Sequence, residues 1–348
     1  MFLSRKTTLK FLFLLMNIPL ATGQPAGDRG AGRSVLDWFY APEEVLEAQI
    51  QTDIEQLTAQ KMTNEEVRGT MTITNAAGET LEIPVNIRAR GRFRRRLCDF
   101  PPLKLDFDKS VLNDHDLNDF DEYKLVTHCL ASGFGSEFVL KEFLTYRLYE
   151  ILTDHSFRVQ LFRIKYLGAD GRRYSTSYGF VIEDEKEIAK RLGGKLIEGR
   201  FNVAQDSFIR AELYRHDVFQ YMVCNTDWSL PMLRNMKLIW DANREAYFVV
   251  PYDFDFAGLV KAPYAVPNAD LGQKNIRERH FMGVAGSMEE LQPTLDLFRS
   301  KREEILAYIK GFKQLPGAQR RDMMKYVKSF YKSLEDGSFR AAVEGTAE

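Results

Sequence analysis

The chain is poor in the residues that build metal and redox motifs. Its 348 residues include only three cysteines and five histidines. The cysteines form no Cys-x-x-Cys pair and no zinc spacing with a histidine, which excludes the common zinc and dithiol motifs. The Gly133-Phe134-Gly135 segment lacks the third glycine of a dinucleotide fingerprint. Internal repeats and low-complexity tracts are also missing.

The chain also lacks a strong excess of charge of either sign. Lysine and arginine number 48 and aspartate and glutamate 49, which gives a formal net charge of −1. A balance of this kind argues against nucleic acid or an anionic membrane as the main partner. Six arginines occur between Arg88 and Arg96, but the surrounding chain is acidic and no aromatic stacking pattern accompanies them.

Long apolar runs are absent except at the N-terminus. Residues 1–23 combine a basic start, an apolar run from Phe11 to Leu20 and small residues before Gln24. These three parts predict a cleaved signal sequence, favoured over a membrane anchor because the run is short for a bilayer span. Cleavage leaves 45 basic residues against 49 acidic ones. We therefore expect an exported protein, periplasmic or secreted, with no stable membrane insertion.

The remaining sequence predicts an α+β fold with two lobes. Residues 24–34 are a glycine-rich, flexible lead, residues 35–183 a β-rich lobe, and residues 184–340 a helical lobe. Strands are expected at 67–74 and 80–90 around a turn. Helices are expected from a cap at Asp206 to residue 223, over 288–312 and over 319–334.

Two cysteines are placed to face each other. Cys98 precedes an alternating strand at 103–107, and Cys129 ends a strand that begins at Tyr123. If these strands pair antiparallel, residues whose numbers sum to about 228 lie opposite each other, which brings the two cysteines together. The sequence thus predicts a Cys98–Cys129 disulfide and an unpaired, buried Cys224.

The most informative stretch runs from Cys224 to Gly258. It contains Asp227, Asn235 eight residues later, and Asp253 and Asp255 around Phe254. Residues 236–240 and 246–250 read as a hairpin that returns Asn235 and Asp253 to one end. Phosphoryl transfer to a hydroxyl needs a carboxylate base together with carboxylate and amide oxygens for Mg²⁺. The alternative is that Asp227 and Asn235 merely form turns.

Residues upstream could supply the nucleotide contacts. Lys104 lies on the polar face of the strand at 103–107, Arg90 lies on an alternating strand, and Glu183 follows a strand where a hinge between lobes would fall. The alternative for Lys104 and Arg90 is a solvated side chain.

A helix at 136–152 would place Glu137 on its apolar stripe, with Glu142 opposite, and Glu137 could then pair with Lys104. The alternative for Glu137 is simple compensation of the helix dipole.

These segments resemble the CotH-type (spore coat protein H) atypical protein kinases. The matching stretches are IRARG, FPPLKLDF, EYKLVTHC, YGFVIEDE, CNTDWS with RNMKLI, and PYDFDFAG. The resemblance implies a bilobal kinase-like fold, ATP with Mg²⁺ or Mn²⁺, Asp227 as catalytic base and Lys104 as the phosphate-binding lysine. It also implies that Asn235 and Asp253 bind metal, with Asp255 close by. The Asp-to-Asn interval is wider than the five residues that protein kinases use.

The expected function is transfer of the ATP γ-phosphoryl group to a hydroxyl of a protein or cell-surface substrate. Two alternatives stay open. One is a non-catalytic exported binding protein with the same fold, and the other is a metal-dependent phosphohydrolase that uses Asp253 and Asp255. The sequence predicts no nucleic-acid partner.

Overall fold

The computed structural model describes residues 32–130, 135–284 and 286–345. The predicted signal sequence and residues 24–31 of the predicted lead lie outside the described residues. Within them the fold mixes helices with two sheets, so the predicted α+β class is confirmed.

The β-rich half of the chain forms a closed seven-stranded sheet. Its strands are β1 (Leu46–Thr52), β2 (Val67–Thr74), β3 (Thr80–Ala89), β4 (Leu103–Phe107), β5 (Glu122–Val126), β6 (Val159–Leu167) and β7 (Arg173–Ile182). Around the barrel the order is β1-β2-β3-β4-β5-β7-β6. All neighbours pair antiparallel except β1 and β6, which pair in parallel and close the sheet. The sequence predicted β2, β3, β4 and β5 but not the closure of the sheet.

Along strands such as β3, buried and exposed side chains alternate, and the buried ones fill the interior of the barrel. Ile83, Val85 and Ile87 of β3 are buried, while Glu82 before them and Asn86 are exposed. A period of two is what places successive side chains on opposite faces of a strand. The predicted hairpin is confirmed, with β3 ending at Ala89, one residue before its predicted end.

Helices surround the barrel and make up most of the second half. They are α1 (Val35–Phe39), α2 (Ile54–Ala59), α3 (Arg94–Leu97), α4 (Lys109–Asp114), α5 (Gly135–Glu150), α6 (Glu185–Arg191), α7 (Arg210–Val223), α8 (Met288–Ser300), α9 (Arg302–Gly311), α10 (Gly317–Glu335) and α11 (Ser338–Glu344). No helix in the described ranges is long and apolar enough to cross a membrane.

Two helix predictions need correction. Helix α7 begins at Arg210, because Asp206 lies in a separate 3₁₀ turn and Ile209 precedes the helix. The predicted helix over 288–312 is divided at Lys301 into α8 and α9.

The second sheet carries the central hairpin. Its strands are β8 (Lys195–Ile197), β9 (Met236–Asp241) and β10 (Ala246–Pro251), in the order β10-β9-β8. The β9–β10 pairing matches the predicted strands at 236–240 and 246–250. Helix α7 packs against β10 and leads directly into the loop that contains Asp227.

The predicted disulfide is present. Cys98 and Cys129 are bonded, with their Cα atoms 4.6 Å apart. The β4–β5 register has the predicted sum, since Lys104 lies opposite Lys124. Cys224 is buried and unpaired, and its thiol donates to the carbonyl oxygens of Ile276 and Glu278.

Candidate active site

The β9–β10 hairpin brings Asn235 and Asp253 together. Met236 pairs with Pro251 at the open end of the hairpin, and the Tyr252 amide donates to the Asn235 carbonyl at 3.0 Å. Asn235 and Asp253 have φ values of 57° and 64°. Non-glycine residues in this left-handed region carry backbone strain that clusters at functional sites. The pairing that the sequence predicted is therefore formed, and it is held in a strained backbone.

Asp227 lies beside Asn235. The Asn235 amide nitrogen donates to the Asp227 backbone oxygen at 2.5 Å and to its carboxylate at 3.0 Å. Arg234 lies 3.5 Å from the other carboxylate oxygen, and the side chain of Asp227 is 37% exposed. Burial raises the pKa of Asp227, while Arg234 opposes the change. Asp227 is thus an oriented carboxylate that solvent and a substrate can reach, with increased basicity.

A buried arginine joins three carboxylates next to this hairpin. Arg94 donates through Nε to Asp255 at 2.7 Å, and through Nη2 to Glu142 at 2.9 Å and Asp253 at 3.4 Å. Tyr264 donates a further hydrogen bond to Asp255 at 3.0 Å. We call Arg94, Glu142, Asp253 and Asp255 the acidic cluster. It connects α3, α5 and the segment after β10.

The acidic cluster holds more negative charge than Arg94 can balance. Burial, followed by the neighbouring carboxylates, raises the pKa of Glu142 to about 8 and that of Asp253 to about 6. The second oxygen of Glu142, Oε1, is buried without a hydrogen-bond partner among the described residues. An added cation would stabilise the ionised form of these carboxyl groups and could contact the unpartnered oxygen.

The oxygen donors of the site suit a hard divalent cation. The amide nitrogen of Asn235 is committed to Asp227, so its oxygen is the atom left for a metal. Asp253 is partly exposed, whereas Asp255 is buried and engaged by Arg94 and Tyr264. Within the described ranges, no three His, Cys, Asp or Glu side chains stand close enough to hold a metal without rearrangement. Asp253 and Asn235 are therefore the residues whose oxygen atoms are left for a cation.

Two lysines contact the ring of Tyr252, the residue that precedes Asp253. Lys124 from β5 and Lys237 from β9 both form ion pairs with Glu185, the latter at 2.6 Å. Their Nζ atoms lie 4.7 Å and 5.4 Å from the centre of the Tyr252 ring. Burial lowers the pKa of Lys124, while Glu185 opposes this change. The barrel and the small sheet thus contribute one lysine each to the same place.

Arg90 links these cations to the acidic cluster. Its positive charge lowers the pKa values of both Lys124 and Asp253, so it lies near each of them. We call Arg90, Lys124 and Lys237 the cationic cluster. Positive charges and carboxylate oxygens therefore lie near each other, although they come from distant parts of the sequence.

Lys104 has a different partner from the one expected. It donates to Glu122 at 2.5 Å, and its side chain is 24% exposed on the outer face of the barrel. The predicted pair with Glu137 is not formed. Lys124, directly opposite Lys104 on the neighbouring strand, is the lysine that contacts Tyr252.

Glu137 and Glu183 also lie outside the two clusters. Glu137 is in the first turn of α5, where its charge acts on Lys141. Glu183 is buried between Arg158 and Arg191, which donate to its oxygens at 2.8 to 3.1 Å. The structure brings together Asp227, Asn235, Asp253, Asp255 and Arg90 of the predicted set. It leaves out Lys104, Glu137 and Glu183.

Some of the site residues that were not predicted could have been found from the sequence, and others could not. Lys124 could have been found, because the predicted register sets it opposite Lys104. Glu142 was placed on the wrong face, since α5 buries nearly all its sides and its angular pattern carries little information. Arg94 is one of six nearby arginines, and nothing in their spacing distinguishes it.

Comparisons with known proteins give little further information. No family model matches the chain, and no curated protein matches it. One similar solved structure is the crystal structure of CtkA, a proinflammatory kinase of Helicobacter pylori. It is 9% identical, covers 70% of this chain and 95% of its own, and superimposes with a TM-score of 0.40. Such a likeness is too small to establish a shared fold or function.

Proposed function

We propose that this chain is an exported, ATP-dependent kinase of the CotH type, which phosphorylates a hydroxyl of a protein or cell-surface substrate. The observation that carries the proposal is that the cationic cluster adjoins Asp253, Asn235 and Asp227. ATP with Mg²⁺ requires cations for its phosphates, oxygen ligands for its metal and a base for the acceptor. In this proposal the barrel and the helical half would be the two lobes of a bilobal kinase.

Each residue has a chemical role in this proposal. Lys124, Lys237 and Arg90 bind the phosphate oxygens. Asp227 orients the acceptor hydroxyl and accepts its proton, assisted by its raised pKa. Asp253 and Asn235 hold the metal, which when bound supplies positive charge to the phosphates. Arg94 fixes Asp255 and Glu142, and so positions the segment that carries Asp253.

Two features support activity outside the cytoplasm. The N-terminal sequence has the three parts of an export signal. The Cys98–Cys129 disulfide is of the kind that persists in oxidising compartments.

The assignment of the phosphate-binding lysine can be tested with a matched pair of variants. Lys104 and Lys124 lie opposite each other on adjacent strands, and each pairs with a glutamate. We expect Lys124→Gln to weaken ATP binding by roughly tenfold or more, because a charge-assisted contact to phosphate is lost. Lys104→Gln should change it by less than about twofold. Calorimetry with ATP and Mg²⁺ measures both, and the reverse order would return the role to Lys104.

The metal and base roles require a second experiment. Asp253→Ala should abolish metal-dependent ATP binding, since it removes an anionic oxygen ligand. Asp227→Asn keeps the size of the side chain, so ATP should still bind while phosphate transfer slows by about 10²-fold or more. The assay is transfer of labelled phosphate to the protein itself or to an extract. If the wild-type protein binds no nucleotide with either Mg²⁺ or Mn²⁺, the kinase proposal is wrong.

One observation favours a second candidate, a non-catalytic exported binding protein. Arg94 already supplies a positive charge to the acidic cluster, where a catalytic metal would otherwise act. A protein of this kind would show neither ATP binding nor transfer, with or without the Asp253→Ala substitution. The phosphohydrolase alternative gains no such support, because Asp255 is occupied by Arg94 and Tyr264.

A further inference from the structure

A second group of charges lies away from the two clusters described above. Lys141 of α5, Lys261 after the Asp-Phe-Asp segment and Arg277 lie around Asp322 of α10, as their mutual effects on the pKa values of Lys141 and Asp322 show. We call these three cations the Lys141 group. The sequence predicts no role for any of them, and the proposed kinase reaction does not use them.

Arg277 is held in place by its neighbours, but only some of its hydrogen-bond donors have an acceptor. Its Nη1 donates to Asp322 at 2.9 Å, and its guanidinium lies 4.3 Å from the centre of the Tyr326 ring. Its Nε and Nη2 atoms are buried without an acceptor in the described ranges. Buried donors are almost always paired, since leaving one unpaired costs about 1–3 kcal/mol. These two donors are therefore available to an acceptor from outside the described chain.

Lys141 adds a buried positive charge near the guanidinium group of Arg277. The residue is only 5% exposed, and burial lowers its pKa. It forms no ion pair in the part of the chain that the structure describes. Asp322 and Glu137 are the carboxylates that act on it, against the positive charges of Lys261 and Arg277. Three cations thus face two carboxylates, and Asp322 is already engaged by Arg277.

We propose that the Lys141 group is a binding site for a phosphate group, either free phosphate or a phosphate monoester on a side chain. A tetrahedral dianion has the oxygens to accept from Nε and Nη2 of Arg277 while it balances the excess charge of Lys141 and Lys261. The bound phosphate would tie α5 to the segment that follows Asp255. Lys141 directly precedes Glu142 of the acidic cluster, so this connection reaches the candidate active site.

The proposal is tested by titrating inorganic phosphate into the purified mature protein with a chelator present, and following heat and melting temperature. Wild type should bind one phosphate per chain, with a melting temperature that rises with phosphate concentration. Lys141→Met, which keeps the length of a buried side chain, should weaken binding by about tenfold or more. Lys261→Gln changes an exposed residue, so it should give the same direction of effect without a risk to folding.

Two control variants separate this site from the rest of the protein. Lys310→Gln alters an exposed lysine of α9 and should bind phosphate like wild type. Lys124→Gln should also retain binding, because Lys124 belongs to the cationic cluster. Titration of phosphoserine then separates the two sources, since a monoester site binds it and a free-phosphate site does not. No saturable binding by wild type, or binding lost in Lys124→Gln and kept in Lys141→Met, overturns the proposal.

Discussion

Substitution of Glu142 by glutamine should have little effect on stability at low pH and should stabilise the protein at high pH. Burial and the neighbouring carboxylates raise the pKa of Glu142 from an ordinary 4.5 to about 8, so at pH 7 in metal-free buffer this carboxyl is mostly protonated. A protonated carboxyl and a primary amide have similar size, and each can accept from Arg94 through one oxygen. Glu142→Gln should therefore alter the free energy of unfolding by less than about 1 kcal/mol at pH 5 and below.

The magnitude at higher pH follows from proton linkage. The folded pKa lies above the unfolded one, so the folded state binds more protons and stability is lost as pH rises from about 4.5 to 8. Each pH unit that separates the folded pKa from the unfolded pKa is worth about 1.4 kcal/mol, so this group costs the wild type on the order of 3–5 kcal/mol above pH 8. The variant lacks this titration. It should consequently be more stable than wild type at pH 9 by a few kcal/mol.

Urea unfolding at pH 5, 7 and 9 with a chelator measures this difference, and Asp255→Asn provides the contrast. That variant removes a carboxylate that Arg94 contacts at 2.7 Å, and breaking a buried ion pair on one side costs about 3–5 kcal/mol. We expect Asp255→Asn to be destabilised at every pH. If Glu142→Gln is destabilised as strongly as Asp255→Asn at pH 9, Glu142 is ionised in the fold and the reasoning is wrong.

Two further predictions concern stability. Gly283→Ala should destabilise by about 1–3 kcal/mol, because a Cβ atom there would lie 2.5 Å from Cβ of Asp217. Gly311→Ala, at the end of α9 with open space around it, should be neutral or stabilise by about 0.4–1 kcal/mol. Thermal melts of the two alanine variants compare them directly, and equal effects would contradict the packing argument. Replacing Cys98 and Cys129 by serine should cost about 3–4 kcal/mol in denaturant unfolding, from the chain entropy of the loop that the disulfide closes, and no loss would contradict that account.

The parts of the site that depend on short-range pairing could be predicted from the sequence. Asn235 and Asp253 meet because two adjacent strands and a tight turn determine their positions, and strand alternation identifies both strands. The same reasoning gave the β4–β5 register, and with it the Cys98–Cys129 disulfide. In each case the interacting segments are close in sequence, so few alternative pairings compete.

The parts that depend on long-range packing could not be predicted. Arg94 lies on a four-residue helix whose position is set by contacts with α5 and the segment after β10, far away in sequence. Helix α5 is enclosed on nearly all sides, so a rule that assigns one apolar stripe to the interior misplaced Glu142. Lys104 and Lys124 lie on the same face of the sheet, on neighbouring strands. Lys124 is the one of the two that contacts Tyr252, and the sequence does not show where Tyr252 lies.

The parallel pairing of β1 with β6 has a consequence for the folding of the chain. Leu46 of β1 lies beside Phe162 of β6, more than a hundred residues later, so this contact forms only after a long intervening segment is ordered. Until then β1 presents an unpaired backbone edge of the kind that recruits strands from other molecules. A fragment that ends before Val159 would leave such edges on both β1 and β5. The completed fold has neither, which removes this route to aggregation.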